Sequence, residues 1–367
     1  MSFEKICWLF GVPLVLFAGI VFYLYSQNLG DISHADGPWS SFGSLLSGVF
    51  TLVGAGATVG TLLFLSKQNQ YMQKVTQAQL SAMKFEQYIS HRRLFIDRLH
   101  ELEKTFESTF VFVDGEGLYN KIFPNNSPTN LEFNVIPQSD QFGENLLGRI
   151  GVHLTQLDQM LGMSSWKGGQ ALDLAQLLMK TFGDLQIRWV EEAYDGDIKF
   201  FGKNSGINIY SLDEFSYRAK SIYNSLLLYT GNPLFEGFGK GNSRYAREAL
   251  MWFFIDNYKY RESMDVIKMI PGLQVMEKLL FVTGSLRRSD HFWILENTFR
   301  AFESAFVSRE SVTRLKDDML VNAIVRAGRG ECLTALEAID DQHTTYSLVK
   351  NCEHDLINLL SRHQRRL

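Results

Sequence analysis

The sequence predicts a mainly α-helical protein with an N-terminal two-helix transmembrane hairpin, a long helical stalk and an α-helical cytoplasmic domain. Three observations support this prediction: two uncharged hydrophobic runs near the N-terminus, a polar helix-compatible stretch after them, and helical spacing of apolar residues further along the chain. The segments are 1–65 for the hairpin, 66–113 for the stalk, 114–140 for a loop or linker, and 141–367 for the cytoplasmic domain.

The two uncharged runs cover residues 6–25 and 42–65. A helix rises ~1.5 Å per residue, so each run is long enough to cross a hydrocarbon core of about 30 Å. Pro13 lies inside the first run, which membrane helices tolerate because neighbouring groups satisfy the freed backbone. A cleaved signal peptide is the alternative for this run, since Lys5 precedes it and Ala18 and Gly19 are small.

The basic residues predict the orientation of the two spans. The connector 26–41 contains neither Lys nor Arg, whereas the segment that follows the second span is rich in both. Its basic residues are Lys67, Lys74, Lys84, Arg92, Arg93 and Arg98. The positive-inside rule therefore predicts a multi-pass protein with both termini in the cytoplasm.

Small and hydroxylated residues recur at spacings of three and four along the second span. This set, called the seam below, consists of Ser44, Ser47, Gly48, Thr51, Gly54, Ala55, Thr58 and Thr61. A helix that only sits in lipid does not need such a face, whereas small residues allow helices to approach closely. We expect the seam to pack on other helices, in a homo-oligomer, or to line a pathway. The alternative is packing against the first span without a lumen.

The stretch 66–113 contains neither Gly nor Pro and is rich in Gln, Lys, Glu and Leu. It is predicted to continue the second span as a helix. Its apolar residues return at roughly helical spacing but form no strict heptad, so a homo-oligomeric coiled coil and docking onto the chain's own domain both stay open. Pro124, Pro128 and Pro137 then predict the loop or linker at 114–140.

Helices are predicted through most of the remaining chain. Ser211 and Glu214 have the spacing of a capping box, in which each side chain satisfies a free amide at the start of a helix. The predicted helices cover 169–194, a segment from this box to 229, 244–258, 273–283, 289–307, 309–327 and 344–363. Alternating strand patterns are scarce.

The sequence offers no catalytic constellation, no metal-ligand spacing and no cofactor motif. The three cysteines are far apart, which indicates neither a disulfide framework nor a zinc knuckle. The histidines are scattered, and the glycine-rich segment 231–243 lacks the Walker spacing. A net charge of −4 excludes a globally basic nucleic-acid binder, although a local basic patch is compatible with it.

A small set of basic residues is the candidate contact with nucleic acid or an acidic partner. Its members are Arg362, Arg365, Arg366, Lys240 and Arg244. Clustered cations neutralise phosphates without regard to base sequence. The alternatives are a solvated helix end for the C-terminal arginines, where the helix dipole favours cations, and a flexible interhelical loop around Lys240.

The layout of the chain resembles the two-transmembrane effectors of bacterial retron systems, which are related to phage abortive-infection membrane proteins. The resemblance depends on the N-terminal hairpin and on two stretches, of which one covers 215–229 and reads FSYRAKSIYNSLLLY. The other covers 38–70 and reads PWSSFGSLLSGVFTLVGAGATVGTLLFLSKQNQ. Ser44 stands where the abortive-infection proteins often have an acidic residue.

The resemblance implies an anti-phage toxin that is not an enzyme and acts on the bacterial inner membrane. Such effectors are held silent by a reverse transcriptase and its RNA–DNA product, and they damage the membrane when infection disturbs that complex. Two other functions stay open for this chain. One is a membrane-anchored scaffold or signal receiver without pore activity, and the other is a membrane-bound hydrolase.

Overall fold

The computed structural model describes residues 3–29, 36–140, 143–167, 169–239, 243–256, 260, 262–287, 294–340 and 343–364. The chain divides into two compact units, Met1–Gln87 and Tyr88–Leu367. The second unit is called the body below. The structure is mainly helical, as the sequence predicts.

Two helices make up the first unit, and α2 runs on into the body. Helix α1 covers Phe3–Leu29 and α2 covers Asp36–Thr105. They contact each other near their connection, where the Tyr25 hydroxyl donates to the Pro38 carbonyl over 3.2 Å. The Phe42 ring lies 5.2 Å from that of Tyr25 and 6.0 Å from that of Phe22, centroid to centroid.

Helix α2 ends earlier than the predicted stalk, at Thr105 rather than at 113. Glu107 and Ser108 both have positive φ angles, 54° and 58°, and the Ser108 amide donates to the Glu103 carbonyl over 2.8 Å. This bond satisfies a carbonyl of the last turn and reverses the chain. The prediction missed the end because no Gly or Pro marks it.

The body contains ten further α-helices and seven strands among its described residues. The helices are α3 Gly115–Ile122, α4 Leu146–Leu161, α5 Gln170–Leu185, α6 Leu212–Tyr229, α7 Arg244–Asp256, α8 Leu273–Arg287, α9 Glu296–Ala305, α10 Arg309–Thr313, α11 Asp318–Ala338 and α12 Thr344–Gln364. The strands are β1 Phe110–Phe112, β2 Ser139–Asp140, β3 Gly143–Glu144, β4 Ile187–Trp189, β5 Asp197–Phe200, β6 Lys203–Asn208 and β7 Met264–Val266.

The strands form small antiparallel sheets, and strand residues such as Phe110, Ile198 and Ile207 belong to the same buried core as the helices. Strand β1 pairs with β4, β2 pairs with β3, and the third sheet has the order β6-β5-β7. In the third sheet Phe200 lies opposite both Lys203 and Met264. Strand β4 occupies part of the predicted helix 169–194, because Gln186 adopts a left-handed φ of 53° and ends α5.

Three other predicted elements differ in detail. The predicted helix 309–327 is interrupted at Asp317, whose carboxylate accepts from the Met319 amide over 2.9 Å and starts α11. The predicted linker 114–140 contains α3, which Asp114 caps. The capping box at Ser211 does not form: its hydroxyl accepts from the Arg309 amide over 3.0 Å instead.

The last turns of α2 pack into the core of the body. His91, Phe95, Leu99 and Leu102 are buried, at spacings of three and four that place them on one face. The Phe95 ring lies 5.5 Å from the Tyr119 ring of α3. From Tyr88 onward this segment is therefore part of the body, whereas residues 76–87 are exposed.

Candidate membrane face and partner contacts

Both helices of the first unit are long and apolar enough to cross a membrane. The apolar windows are Gly11–Asn28 in α1 and a segment of α2, and no part of either window is buried. Length and composition are the only grounds for this statement. The window in α1 overlaps the span predicted at 6–25, and the second candidate helix, Asp36–Thr105, contains the segment predicted at 42–65.

All eight seam residues lie on the exposed surface of α2. Ser44, Ser47, Gly48, Thr51, Gly54, Ala55, Thr58 and Thr61 are each classed as exposed. A Cβ added at Gly48 or Gly54 would meet no described atom within 4 Å. The structure therefore leaves room beside the seam for another helix to approach.

The threonine hydroxyls of the seam donate within their own helix. Thr51, Thr58 and Thr61 each bond a carbonyl four residues earlier, over 2.8 Å in every case. Such bonds satisfy the hydroxyl proton without an outside partner. The seam therefore presents small side chains and oxygen acceptors, and three of its donors are already used.

A different face of α2 is partly covered. Its half-buried residues are bulky and follow helical spacing: Phe42, Leu45, Leu46, Val49 and Val53. Phe42 belongs to this face and touches the rings of Phe22 and Tyr25 on α1. The face toward α1 is thus the bulky one, and within the described residues the seam lies outside that contact.

Of the five basic contact candidates, Arg244 is the one whose side chain the structure describes. Its Nε lies 2.9 Å from Glu248 Oε1, and its Nη2 bonds Glu303. The hydrogen bond to Glu248 raises the pKa of Arg244. Two carboxylates therefore offset its charge. Lys240, Arg365, Arg366 and the side chain of Arg362 lie outside the described residues.

Arg244 and Arg362 stand on different helices of the body. Arg362 lies in the last turn of α12, whereas Arg244 starts α7. Sequence reasoning selected these positions from charge alone, and charge does not reveal a partner carboxylate that is distant in sequence. Glu303 follows Arg244 by 59 residues and pairs with it only through the fold.

Sequence reasoning also missed a buried polar cluster between the third sheet and α8. The Glu277 side chain is fully buried, and its Oε1 accepts from the Tyr210 hydroxyl over 2.6 Å. Its Oε2 lies 2.5 Å from Lys268 Nζ. Burial raises the pKa of Glu277 and holds the pKa of Tyr210 well above its ordinary value. These bonds tie α8 to the segments that follow β6 and β7.

A second missed feature is an aromatic enclosure around His91. Its Nδ1 lies 2.9 Å from the Tyr119 hydroxyl, and the rings of Phe123 and Tyr229 lie 4.9 and 5.0 Å from the imidazole. Burial lowers the pKa of His91, because the charged form is poorly solvated there. The enclosure joins the end of α2 to α3 and α6.

The described residues contain no group of three or more His, Cys, Asp or Glu side chains that could hold a metal ion. Cys332 and Cys352 are free thiols in the core, and burial raises the pKa of each to about 12. A thiol with such a pKa stays protonated at neutral pH and reacts slowly.

Comparison of the chain with protein-family models, with curated proteins and with solved structures found no match. The fold alone defines the class: the protein has a helical body preceded by two helices that are long and apolar enough to cross a membrane.

Proposed function

We propose that the protein is a membrane-embedded effector of an anti-phage defence system, which permeabilises the bacterial inner membrane once it is released from an inhibitory complex. The resemblance over 38–70 and 215–229 supplies the biological class. The observation that carries the mechanism is the exposed seam on a helix that is long and apolar enough to span a bilayer.

The mechanism begins with association of α2 from several copies through the seam. Small residues let helix backbones approach closely, and hydroxyl oxygens can accept bonds across the contact. A ring of such helices encloses a path lined by small and hydroxylated side chains. No charged residue lies between 42 and 65, so the path lacks a charge filter and passes ions with little selectivity.

The orientation that we propose places both termini and the body in the cytoplasm. The connector 26–41 lacks Lys and Arg, and the helix after residue 65 carries both. The inhibitory partner, by resemblance, is a reverse transcriptase with its RNA–DNA product, bound by the cytoplasmic part of the chain.

The first experiment reconstitutes the full chain alone into liposomes loaded with a self-quenched dye, and also induces it alone in cells that carry a potential-sensitive dye. We expect dye release and depolarisation. Thr58→Leu places bulk on the seam and should reduce both signals by tenfold or more.

Val59→Leu is the matched control for this substitution. It also replaces a β-branched side chain by leucine, and at about 100° per residue Val59 lies at the edge of the seam, whereas Thr58 lies near its centre. Val59 is 56% exposed, which leaves room for the change. Equal activity of the two variants contradicts a role for the seam. Intact liposomes with the unmodified chain contradict permeabilisation itself and favour a membrane-anchored scaffold.

The partner contact is tested separately. Arg362→Glu, Arg365→Glu and Arg366→Glu together should abolish co-purification of nucleic acid with the full chain, because reversed charges repel phosphates. Arg244→Gln should have a smaller effect, since Glu248 and Glu303 already offset its charge. Unchanged recovery from the triple variant excludes the C-terminal contact.

A further inference from the structure

The segment 232–239, called the strap below, follows α6 and runs back along that helix. Its direction is shown by its partners, since Phe235 bonds Asn224 and Gly237 bonds Lys220, which lies one turn nearer the start of α6. Among the described residues, the strap after its first residue makes no bond between main-chain groups. Side chains of the neighbouring helices therefore hold it in place.

Three side chains bond the main chain of the strap. The Asn224 side chain accepts from the Phe235 amide over 2.7 Å and donates to the Phe235 carbonyl over 3.3 Å. Lys220 Nζ donates to the Gly237 carbonyl over 2.6 Å, and Asp158 of α4 accepts from the amide that follows this carbonyl. Main-chain carbonyls and amides are common to almost all residues, so these bonds do not depend on the side chains of the strap.

Two aromatic side chains of the strap point toward the core. Phe235 and Phe238 are half-buried and pack against core residues, whereas Leu234 and Glu236 are exposed. The Phe235 ring lies 6.1 Å from the Tyr223 ring of α6 and 5.7 Å from the Phe238 ring, centroid to centroid. Proteins that bind extended peptides use the same division, in which main-chain bonds supply affinity and side-chain pockets supply specificity.

The groove between α4 and α6 that holds the strap is larger than the strap. A cavity of about 560 Å³ opens beside Phe235, and Val152 of α4 and Tyr223 of α6 line it. A second cavity of about 510 Å³ opens beside Phe238, and Lys220 lines it. The strap therefore fills the groove only in part, and larger side chains at these two places would bury more apolar surface.

We propose that this groove binds an extended peptide of a partner protein, with two aromatic side chains three residues apart, and that the strap is an internal competitor of that peptide. The bonds from Asp158, Lys220 and Asn224 suit any extended main chain, and the two cavities leave room for aromatic side chains. The site lies wholly in the body and does not depend on the permeabilising function proposed above.

The test measures the fluorescence anisotropy of a labelled peptide, GNPLFEGFG, which copies residues 231–239, on the full chain in detergent micelles. The peptide can bind only those unmodified molecules whose strap is detached. Phe235→Ser with Phe238→Ser, called the double variant below, weakens the strap and should tighten peptide binding by about tenfold or more. The same peptide with both phenylalanines replaced by serine should bind the double variant far more weakly. No binding to either chain at millimolar concentration, equal binding to both chains, or equal binding of the two peptides overturns the proposal.

Two substitutions added to the double variant assign the binding to this groove. Asn224→Leu removes both bonds to one peptide residue at similar side-chain size, and Lys220→Met removes the bond from the ammonium group. Each should weaken peptide binding by about tenfold. Lys180→Met is the control, since Lys180 of α5 is exposed and lines neither cavity, and it should leave binding unchanged. If Asn224→Leu and Lys220→Met also leave binding unchanged, the peptide lies elsewhere and the proposal is wrong.

Phe238→Ser alone keeps the test available if the double variant fails to fold. It removes one aromatic side chain from the strap and should still tighten peptide binding relative to the unmodified chain, and unchanged binding contradicts the proposal. A second copy of the chain is the other candidate occupant of the groove. We expect equal oligomeric mass for the unmodified chain and the double variant in light scattering. A smaller mass of the double variant would show that the strap of one copy lies in the groove of another, which overturns the internal competition.

Discussion

Replacement of Lys268 by methionine should destabilise the body strongly and make its stability depend on pH. Lys268 Nζ lies 2.5 Å from Glu277 Oε2, and the Glu277 side chain is fully buried. Methionine retains the apolar stem of the lysine but removes its ammonium group, so that of these two partners the Glu277 carboxylate keeps only Tyr210. Removal of one member of a buried ion pair costs roughly 3–5 kcal/mol, because the other charge stays in a poorly solvating environment.

The sign of the pH dependence follows from the pKa of Glu277. Burial already raises this pKa in the folded chain, and Lys268 opposes the shift. In Lys268→Met the folded carboxyl therefore holds its proton to a higher pH than the unfolded chain does. The folded state binds more protons in that interval, so the free energy of unfolding should increase as the pH falls, by at most about 1.4 kcal/mol per pH unit.

Urea unfolding of the full chain in micelles at pH 6, 7 and 8, followed by tryptophan fluorescence, measures both effects. Lys278→Met is the matched control, because Lys278 is half-exposed and pairs with Asp355 over 3.2 Å. Such a surface pair contributes less than about 1 kcal/mol. Equal losses in the two variants would refute the reasoning, and so would a Lys268→Met chain whose stability, relative to that of the unmodified chain at the same pH, decreases as the pH falls.

Three further predictions concern the body. His91 should cost up to about 1.4 kcal/mol of stability at pH 5.5, because burial lowers its pKa in the folded chain while the unfolded imidazole, with a pKa near 6.5, takes up the proton. Urea unfolding of His91→Phe should lack this loss, and a variant with the same pH slope as the unmodified chain contradicts the prediction. Phe201→Asn should raise the melting temperature, because Phe201 and Gly202 form the two-residue turn between β5 and β6 with φ angles of 49° and 76°, and an Asn-Gly pair suits such a turn. A lower melting temperature of the variant would contradict this. Gly206→Ala should lower the free energy of unfolding by about 2–5 kcal/mol, because φ at Gly206 is 65° and the new Cβ would lie 2.1 Å from the Trp189 ring. The control Gly202→Ala has no described atom within 4 Å of the new Cβ and should cost only the ~1–2 kcal/mol of backbone strain. Equal losses of stability in the two variants would count against the clash with Trp189.

The helical class of the chain could be predicted because it depends on local patterns. Helices α8 and α12 begin at Leu273 and Thr344, the positions that the spacing of apolar residues indicates. Helix ends were less predictable. Neither the left-handed Gln186 nor the pair Glu107 and Ser108 has the glycine that usually marks such a turn.

The features that depend on distant residues could not be predicted. Ser211 has the spacing of a capping box, yet the amide of Arg309 competes for its hydroxyl from 98 residues away. Glu277 and Tyr210 are separated by 67 residues, so no local pattern indicates their bond. The seam was recognisable because its residues share one helix face, whereas its exposure depends on which face α1 covers.

The bonds that Thr51, Thr58 and Thr61 make within α2 have a consequence for a copy of the protein that has not assembled with others. If α2 spans a bilayer, the hydroxyl protons of these three threonines are already bonded inside the helix, so a lone copy meets no desolvation cost for them in lipid. In the assembly that we propose, these three donors therefore contribute little to the free-energy difference between dispersed and clustered copies. That assembly would depend on close packing at the seam and on local copy number.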